Sequence, residues 1–468
     1  MTSGARPGGE PRGRYDLVLR GGSVVNHDGV CTADVAIRGG VVVAVGDLGA
    51  DAVASQMIDV RGRHLFPGAI DPHIHMTTNV MNDGIGDSLA RESRSLALGG
   101  TTTAFDFLGN VETSYLEHGR FVIDQIEKRS YVDVALHAML NTEQQVNEIE
   151  RCASEIGLTS FKMFFSNRGS QQIYARTRSI EDGLVYRALC NVAKLGPKGT
   201  ALFHAENWEV PRQLRAELEA AGRTDPAAWT ESRPNFCEVD GMQQVARFAA
   251  DTGARVYAVH LSTREAPSIL RESRGRGIAF YGETCPHYLS VHKDDPRAKL
   301  AKYNPAIKRA EDIEALWAAV LDGTLDTMGT DHIPLRLKDK DLGKNIWESR
   351  AGVPGSGTIL PFLISEGHNR RGLALERVAA MASYNTARIF GLYPRKGAIA
   401  VGSDADIVVS KLDRTVTVKP EMLDLDFTLF DGREFTGWPE MTIQRGTILA
   451  RDGKLLAKEG QGRYIPAG

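Results

Sequence analysis

The stretch Phe66–Met76 reads FPGAIDPHIHM. It begins as an apolar run with a turn-forming Pro-Gly pair and ends on two histidines separated by one isoleucine. In a β-strand, residues i and i+2 point to the same face. His73 and His75 therefore face one way and Ile74 the other. Two neutral imidazoles side by side in a core bring four ring nitrogens that need partners. A metal ion takes one nitrogen from each ring. Taken alone, the H-x-H pattern fits two separately hydrogen-bonded core histidines equally well, so its reading depends on the rest of the chain.

Seven further strand-like runs follow, each separated from the next by a helical stretch such as VNEIERCASEI or EDIEALWAAVLDG. With GAIDPHIH (68–75), they are TTTAFDFL (101–108), DVALHAML (133–140), LTSFKMFF (158–165), TALFHAEN (200–207), RVYAVHLS (255–262), IAFYGETC (278–285) and LDTMGTDH (325–332). Alternating strands and helices predict a parallel α/β fold, and eight such units predict a (β/α)8 TIM barrel. The two ends of the chain have a different texture. YDLVLRGGSVV and ADVAIRGGVVVAVG near the start, and GAIAVGSDADIVVSKLD and MTIQRGTILARDGKLL near the end, are Val-rich or alternating runs broken by Gly-Gly and Asp-Gly turns. They predict one small β-sandwich domain built from both termini. The expected organisation is a disordered lead over 1–14, rich in Gly, Pro and Arg. A composite β-sandwich follows over 15–66 plus 395–455, around a hydrolase barrel over 67–394. The chain closes with a tail over 456–468.

Composition narrows the function. The chain has 468 residues, 42% hydrophobic and 25% charged, with a formal net charge of −3. That balance gives no general attraction to nucleic acid or to an anionic membrane surface, and no apolar run approaches a membrane span. Five widely spaced cysteines without a C-x-x-C pattern fit a reducing, cytoplasmic setting better than a disulfide framework. Cys285, in GETCPHYL, reads as a packed core thiol because no activating base is evident beside it.

Polar residues fall at one end of the expected barrel. His73 and His75 close its first strand, Lys162 lies in the fourth, His204 in the fifth and His260 in the sixth. Asp331 closes the eighth. Active sites of such barrels sit at the C-terminal ends of the strands, and joint placement of six ligand-type residues there is hard to obtain by accident. Imidazole and carboxylate suit zinc and similar divalent ions. Lys162 is the odd member, because SFKMFF is apolar and a buried ammonium is costly. A lysine carboxylated by carbon dioxide resolves this: the carbamate is an anion whose two oxygens can bridge two metal ions. Two divalent ions, offset by the carbamate, Asp331 and a hydroxide, leave the site mildly cationic, which suits a developing oxyanion. His332 points away from Asp331's face and reads as a supporting residue. Glu206 reads as a partner of the site or a solvated residue, and His137 and His287 are left outside the metal set.

With these residues in place, the chain resembles the cyclic amidohydrolases: dihydropyrimidinase, hydantoinase, allantoinase and dihydroorotase. The resemblance runs from about Tyr15 to about Gly453. It is carried by FPGAIDPHIH, ALGGTTTAFDF, SFKMFF, FHAEN, VHLST, GETCPHYL, MGTDHIP and NTARIFGLYPRKGAIAVGSDADIVV, with the dihydropyrimidinase and hydantoinase branch nearest. It implies that His73, His75, Lys162 and Asp331 hold a more buried metal, and that carboxylated Lys162, His204 and His260 hold a more exposed one. It further implies that a bridging hydroxide attacks an amide carbonyl while Asp331 moves the proton to the leaving nitrogen. The expected cofactors are two divalent ions, zinc first, plus the carbon dioxide on Lys162. The expected partner is a small-molecule substrate, and the expected assembly is a homotetramer or homodimer.

Where relatives bind substrate, this chain departs from them. Asn167 stands where hydantoinases and dihydropyrimidinases carry a carbonyl-polarising tyrosine, with Arg168 beside it. The usual S-P-P-[LI]-R appears as NPAIK, Asn304 to Lys308, and Ala351 stands where an Asn is usual. Lys308 is expected either to add a cation at the pocket mouth or to pair with a surface carboxylate. Met76, Thr77 and Thr78 follow H-x-H where dihydroorotases place a carboxylate-binding arginine. The expected function is therefore hydrolysis of a C–N bond in a cyclic amide, imide or ureide with an atypical pocket at Asn167, Arg168, Asn304 and Lys308. A non-cyclic amide or carbamate is the alternative. A metal-free scaffold and a mononuclear deaminase fit the six ligand-type residues less well.

Overall fold

A computed structural model describes residues 14–78, 84–109, 113–165, 180–340 and 345–467. Residues 1–13 of the expected disordered lead, together with Asn167 and Arg168, lie outside the described residues.

Five strands open the chain: β1 (Tyr15–Asn26), β2 (Gly29–Arg38), β3 (Val41–Gly46), β4 (Ala54–Asp59) and β5 (His64–Pro67). Eight follow in the middle: β6 (Ala69–Ile74), β7 (Thr101–Leu108), β8 (Asp133–Met139), β9 (Ser160–Phe164), β10 (Thr200–His204), β11 (Val256–Ala258), β12 (Phe280–Thr284) and β13 (Thr327–Met328). The last six are β14 (Ile407–Ser410), β15 (Thr415–Thr417), β16 (Glu434–Thr436), β17 (Pro439–Gln444), β18 (Thr447–Arg451) and β19 (Lys454–Leu455).

All eight expected barrel strands are present. β6 to β13 hydrogen-bond in sequence order, each parallel to the next. The ring closes just beyond β13, where Asp331 N donates to His73 O at 2.9 Å and His75 N to His332 O at 3.0 Å. The barrel therefore closes through the backbone of its own candidate ligands. The strands are buried on both faces, as expected when helices cover a parallel sheet outside and side chains fill it inside. Helix Phe236–Thr252 shows how the outside is sealed. Met242, Val245, Ala246 and Ala249 are buried at helical spacing, and the helix stops at Gly253 in the left-handed conformation. Gly99, which caps helix Ile85–Leu98, is fixed by a close approach of two backbones. A Cβ there would meet Gly357 O at 1.9 Å.

Nine of the terminal strands form one mixed sheet, in the order β19-β18-β17-β14-β5-β1-β2-β3, with β4 also pairing β1, and β15 and β16 pair separately. β1 pairs β4 along its first half and β5 along its second, so the sheet splits and curls. Its far edge returns to the segment before β14, where Val42 N donates to Ser403 O and Ala405 N to Gly40 O, both at 2.9 Å. Leu17, Val35, Leu65, Ile407, Val409 and Ile443 meet in its own core. The expected tail is not loose. Segment 461–467 runs beneath the barrel, with Gly462 N, Val134 N, Ile465 N and Ala467 N all engaged in backbone hydrogen bonds at 2.9 Å. Ile465 packs with Ile70, Phe105 and Phe390 to floor the barrel.

A buried ionic cluster joins barrel, terminal sheet and this segment. Lys396 Nζ lies 2.8 Å from Asp133, 3.1 Å from Asp404 and 2.6 Å from Asp406. Arg445 pairs with Asp133 from the other side, and Arg463 N donates to Asp133 at 3.0 Å.

Candidate active site and metal centre

The barrel rim brings the six sequence-predicted residues into one neighbourhood. On and just after β6, the His73 and His75 rings lie 5.2 Å apart, as the two-residue strand period requires. The Nε2 atoms of both rings lie 3.3 Å from the same oxygen of Asp331. Ligand atoms of His73, His75 and Asp331 all fall within 4.8 Å of one another. The His260 ring lies 5.4 Å from His73 and 4.6 Å from His204, so the four imidazoles form a continuous arc. His260 and Asp331 sit at φ of 44° and 47°, a left-handed region that residues other than glycine seldom occupy and that marks functional turns.

Lys162, on β9, is 1% exposed. Its Nζ lies 4.9 Å from the Phe107 ring centre and 5.3 Å from that of Phe164. Burial pushes its amine down to about 7, against the opposing pull of Glu283 and Asp331. A large fraction of it is therefore neutral near pH 7, the form able to add carbon dioxide. Burial also holds His73 and His260 well below the ordinary imidazole range, leaving both as neutral electron-pair donors.

Three carboxylates that the sequence reading passed over support this set. Glu283, on β12, accepts from His73 Nδ1 at 2.8 Å, His260 N at 2.9 Å and the Tyr257 hydroxyl at 2.9 Å. Asp71 accepts from His73 N at 3.0 Å and from Thr330 N and Oγ1 at 3.1 and 2.5 Å. Asp106 accepts from Met76 N and Thr77 N at 2.7 and 3.0 Å, fixing the chain just past H-x-H. Burial raises all three, Glu283 to about 8 and the two aspartates to about 6. The signal for them was available, because an acidic residue inside an apolar strand is seldom buried without a partner.

The supporting roles read from sequence can now be placed. Glu206 is buried and bonds His204 Nε2 at 2.8 Å. His332 donates from Nε2 to Glu92 at 2.9 Å and accepts the Gly355 and Ser356 amides at Nδ1. His137 lies inside the barrel between Ser160 Oγ and Pro72 O. His287 stacks on Tyr303 at 3.7 Å. Cys285 is fully buried, which pushes its thiol well up, as a packed core thiol should be. Helix Phe236–Thr252 contributes Glu238, which accepts from Ser262 and Thr263 in the turn that follows His260.

Among the described residues Lys308 pairs with no surface carboxylate. Its ammonium is buried and donates to Arg233 O at 2.7 Å, and its charge reaches Glu206 and Glu238. The reason is tertiary: NPAIK packs against the Arg233 segment, which no local pattern reveals. Ala351 lies in a buried stretch whose carbonyls are gathered by two ammoniums. Lys302 takes those of Ile346, Trp347 and Ser349, and Lys340 those of Arg350 and Gly352.

Comparison with known proteins agrees with this geometry. Residues 64–449 match the amidohydrolase family. D-hydantoinase from Ralstonia pickettii is 29% identical over 468 residues, spanning 96% of this chain and 98% of its own. Allantoinase from Solibacter usitatus is 33% identical over 454 residues, spanning 95% and 96%. The crystal structure of dihydropyrimidinase from Brevibacillus agri superposes with a TM-score of 0.88 at 29% identity, covering 96% of this chain and 98% of that one. L-hydantoinase from Arthrobacter aurescens gives 0.90 at 28%, covering 96% and 99%. A hydrolase barrel, an arc of imidazoles around one aspartate, and relatives that agree over nearly the whole chain lead to one assignment: this chain belongs to the amidohydrolase family, in its cyclic-amidohydrolase group, and is an enzyme acting on carbon–nitrogen bonds other than peptide bonds.

Proposed function

We propose that this cyclic amide hydrolase is dinuclear, that carboxylated Lys162 would help hold both ions, and that it takes a cyclic amide, imide or ureide that differs from plain hydantoin and dihydrouracil. The observation that carries the reading is the convergence of His73, His75 and Asp331 ligand atoms within 4.8 Å, beside a buried Lys162 amine pushed down to about 7. The donor set fits metal. Glu283 and Glu206 engage Nδ1 of His73 and Nε2 of His204, leaving the opposite nitrogen of each ring as a donor. His260 Nδ1 is buried with no hydrogen-bond partner among the described residues. His73, His75, Lys162 and Asp331 would hold one ion, and Lys162, His204 and His260 the other, zinc being the first choice for such donors. When bound, paired divalent ions acidify water towards neutral pH and polarise an amide carbonyl.

The chain's own residues supply the rest. Asp331 accepts a proton from the attacking water and returns it to the leaving ring nitrogen as the C–N bond breaks. The barrel floor at Phe390 and Ile465 keeps bulk water from the lower side. Substrate binding is assigned to Asn304, Asn167 and Arg168, and buried Lys308 supports it by fixing Arg233 and the field at Glu206. With the usual tyrosine replaced by Asn167, the donors that match a hydantoin ring have moved, and a site built to hydrogen-bond one ring rejects mismatched rings strongly. The enzyme would work as a homotetramer or homodimer, which light scattering at micromolar concentration tests. Among the described residues no helix is long and apolar enough to cross a membrane.

Two measurements test the reading. Protein prepared with zinc and bicarbonate is expected to hold about two metal ions per chain and a carboxylated Lys162; an empty site with unmodified Lys162 refutes the dinuclear assignment. A panel of hydantoins, dihydropyrimidines, allantoin, dihydroorotate, cyclic imides, linear amides and carbamates is expected to give its best turnover on a ring other than hydantoin or dihydrouracil. A kcat/KM of ~10⁵ M⁻¹s⁻¹ on dihydrouracil would refute the altered pocket, and preference for a linear substrate would transfer the assignment to a non-cyclic amide or carbamate.

A further inference from the structure

We propose that Glu283 is a positioning residue that couples the two halves of the metal centre, so that both ions are held or lost together; this rests on the dinuclear reading. Glu283 is fully buried at the middle of the barrel. A single oxygen, Oε1, accepts from His73 Nδ1 at 2.8 Å and from the backbone N–H of His260 at 2.9 Å. Those two residues belong to opposite half-sites. Its other oxygen accepts from the Tyr257 hydroxyl at 2.9 Å, and that hydroxyl lies 2.5 Å from Thr327 Oγ1. One carboxylate thus ties β6, the end of β11, β12 and, through Tyr257, β13.

Three features set Glu283 apart from an ordinary buried acid. By accepting from His73 Nδ1, it fixes the tautomer that leaves Nε2 as the donor and raises the basicity of the ring. It also clamps the amide of His260, whose φ of 44° is a conformation that needs outside support. And room has been kept for it: a Cβ on Gly329 would lie 2.8 Å from both Glu283 Cδ and His73 Cβ. The glycine of MGTDH therefore serves the Glu283–His73 pair. Glu206 provides an internal contrast, since it bonds His204 alone among the six predicted ligands.

The test is a titration of metal-depleted protein with buffered free zinc in bicarbonate, reading zinc per chain by mass spectrometry. Glu283→Gln keeps the size of the side chain and leaves one acceptor oxygen where there were two. It is expected to shift the zinc midpoint of both ions together by about 10–100-fold. Tyr257→Phe, which leaves Glu283 in place but frees its outer oxygen, is expected to shift both ions in the same direction by less. Glu206→Gln is expected to weaken one ion only. The proposal is overturned if Glu283→Gln binds both ions at the wild-type midpoint, or loses just one. It is also overturned if Glu283→Gln only lowers the melting temperature of the metal-free protein while its zinc midpoint stays put. If Glu283→Gln does not fold, Tyr257→Phe decides by the same criteria. Wild-type protein that takes up no zinc would instead overturn the dinuclear reading on which the proposal stands.

Discussion

Replacing Lys396 by Met removes one ammonium from a cluster that otherwise keeps its shape, because Met retains most of the aliphatic stem. Lys396 and Asp133 have side chains 1% and 0% exposed, and Asp404 and Asp406 are nearly as deep. Removing one partner of a buried ion pair costs about 3–5 kcal/mol. Here each carboxylate keeps a second partner: Arg445 for Asp133, the Arg445 amide for Asp406 and Arg395 for Asp404. The expected loss is therefore in the lower half of that range, about 3–4 kcal/mol. At ~2.1 cal/mol/K per residue over 468 residues, the unfolding entropy is ~1 kcal/mol/K, so the melting temperature falls by about 3–4 °C. The pH dependence follows from the shifts. Burial pushes the Asp133 carboxyl up, but Lys396 and Arg445 outweigh it and hold it below its ordinary value. That contribution is present above the unfolded value of about 3.9 and is lost as pH falls through the folded one. Burial opposes the charge of Lys396, but the three aspartates outweigh it and raise the ammonium. That contribution is present below about 10.4 and is lost as pH rises through the folded value. Burial raises the Asp406 carboxyl despite Lys396, so it takes up its proton before Asp133 as pH falls, and earlier still without Lys396; the gap between wild type and variant is thus widest from neutral pH to about 10 and narrows on both sides. Circular-dichroism melts and urea titrations across that range measure it. A variant as stable as wild type at pH 7, or a gap that widens below pH 4, would refute the reasoning.

Asp331→Asn keeps the size of the side chain and removes the proton acceptor. Turnover on the best substrate of the panel is expected to fall by about 10²–10⁴-fold or more in steady-state assays. Ile465→Ala removes a 1% exposed side chain from the barrel floor, and equilibrium unfolding is expected to show a loss of about 2–5 kcal/mol.

The barrel, and the meeting of six ligand-type side chains at its rim, were legible because their signals are local and periodic. Apolar runs of strand length alternate with helical stretches, and His73, Lys162, His204, His260 and Asp331 interrupt those runs at one end. Asp71 and Glu283 lay in the same runs. Their role was hidden because the hydrogen bonds that reveal it cross from strand to strand over long sequence distances, as from Glu283 to His73. The place of Lys308 was hidden for the same reason: its partner is the carbonyl of Arg233, a backbone atom with no sequence signature. Segment 461–467 read as a tail because it has neither helical nor strand periodicity; only its register beneath Val134 gives it a place. The composite terminal domain was legible from texture, whereas the curling of its sheet depends on β1 switching neighbours midway.

The placement of β5 has a consequence for synthesis. In the finished sheet, Leu65 and Phe66 are buried between β1 and β14. Along the chain, however, β14 lies roughly 340 residues after β5; at ~5–20 residues per second it is translated roughly 20–70 s later. For that interval the whole barrel is being made while an apolar strand edge stands open on the nascent chain. Its four-residue length and its terminal Pro67, which has no N–H to offer a stray strand, are the features that blunt such an edge. The pairing that joins the two ends of the chain is thus completed late in synthesis, and slower elongation lengthens the exposure of β5.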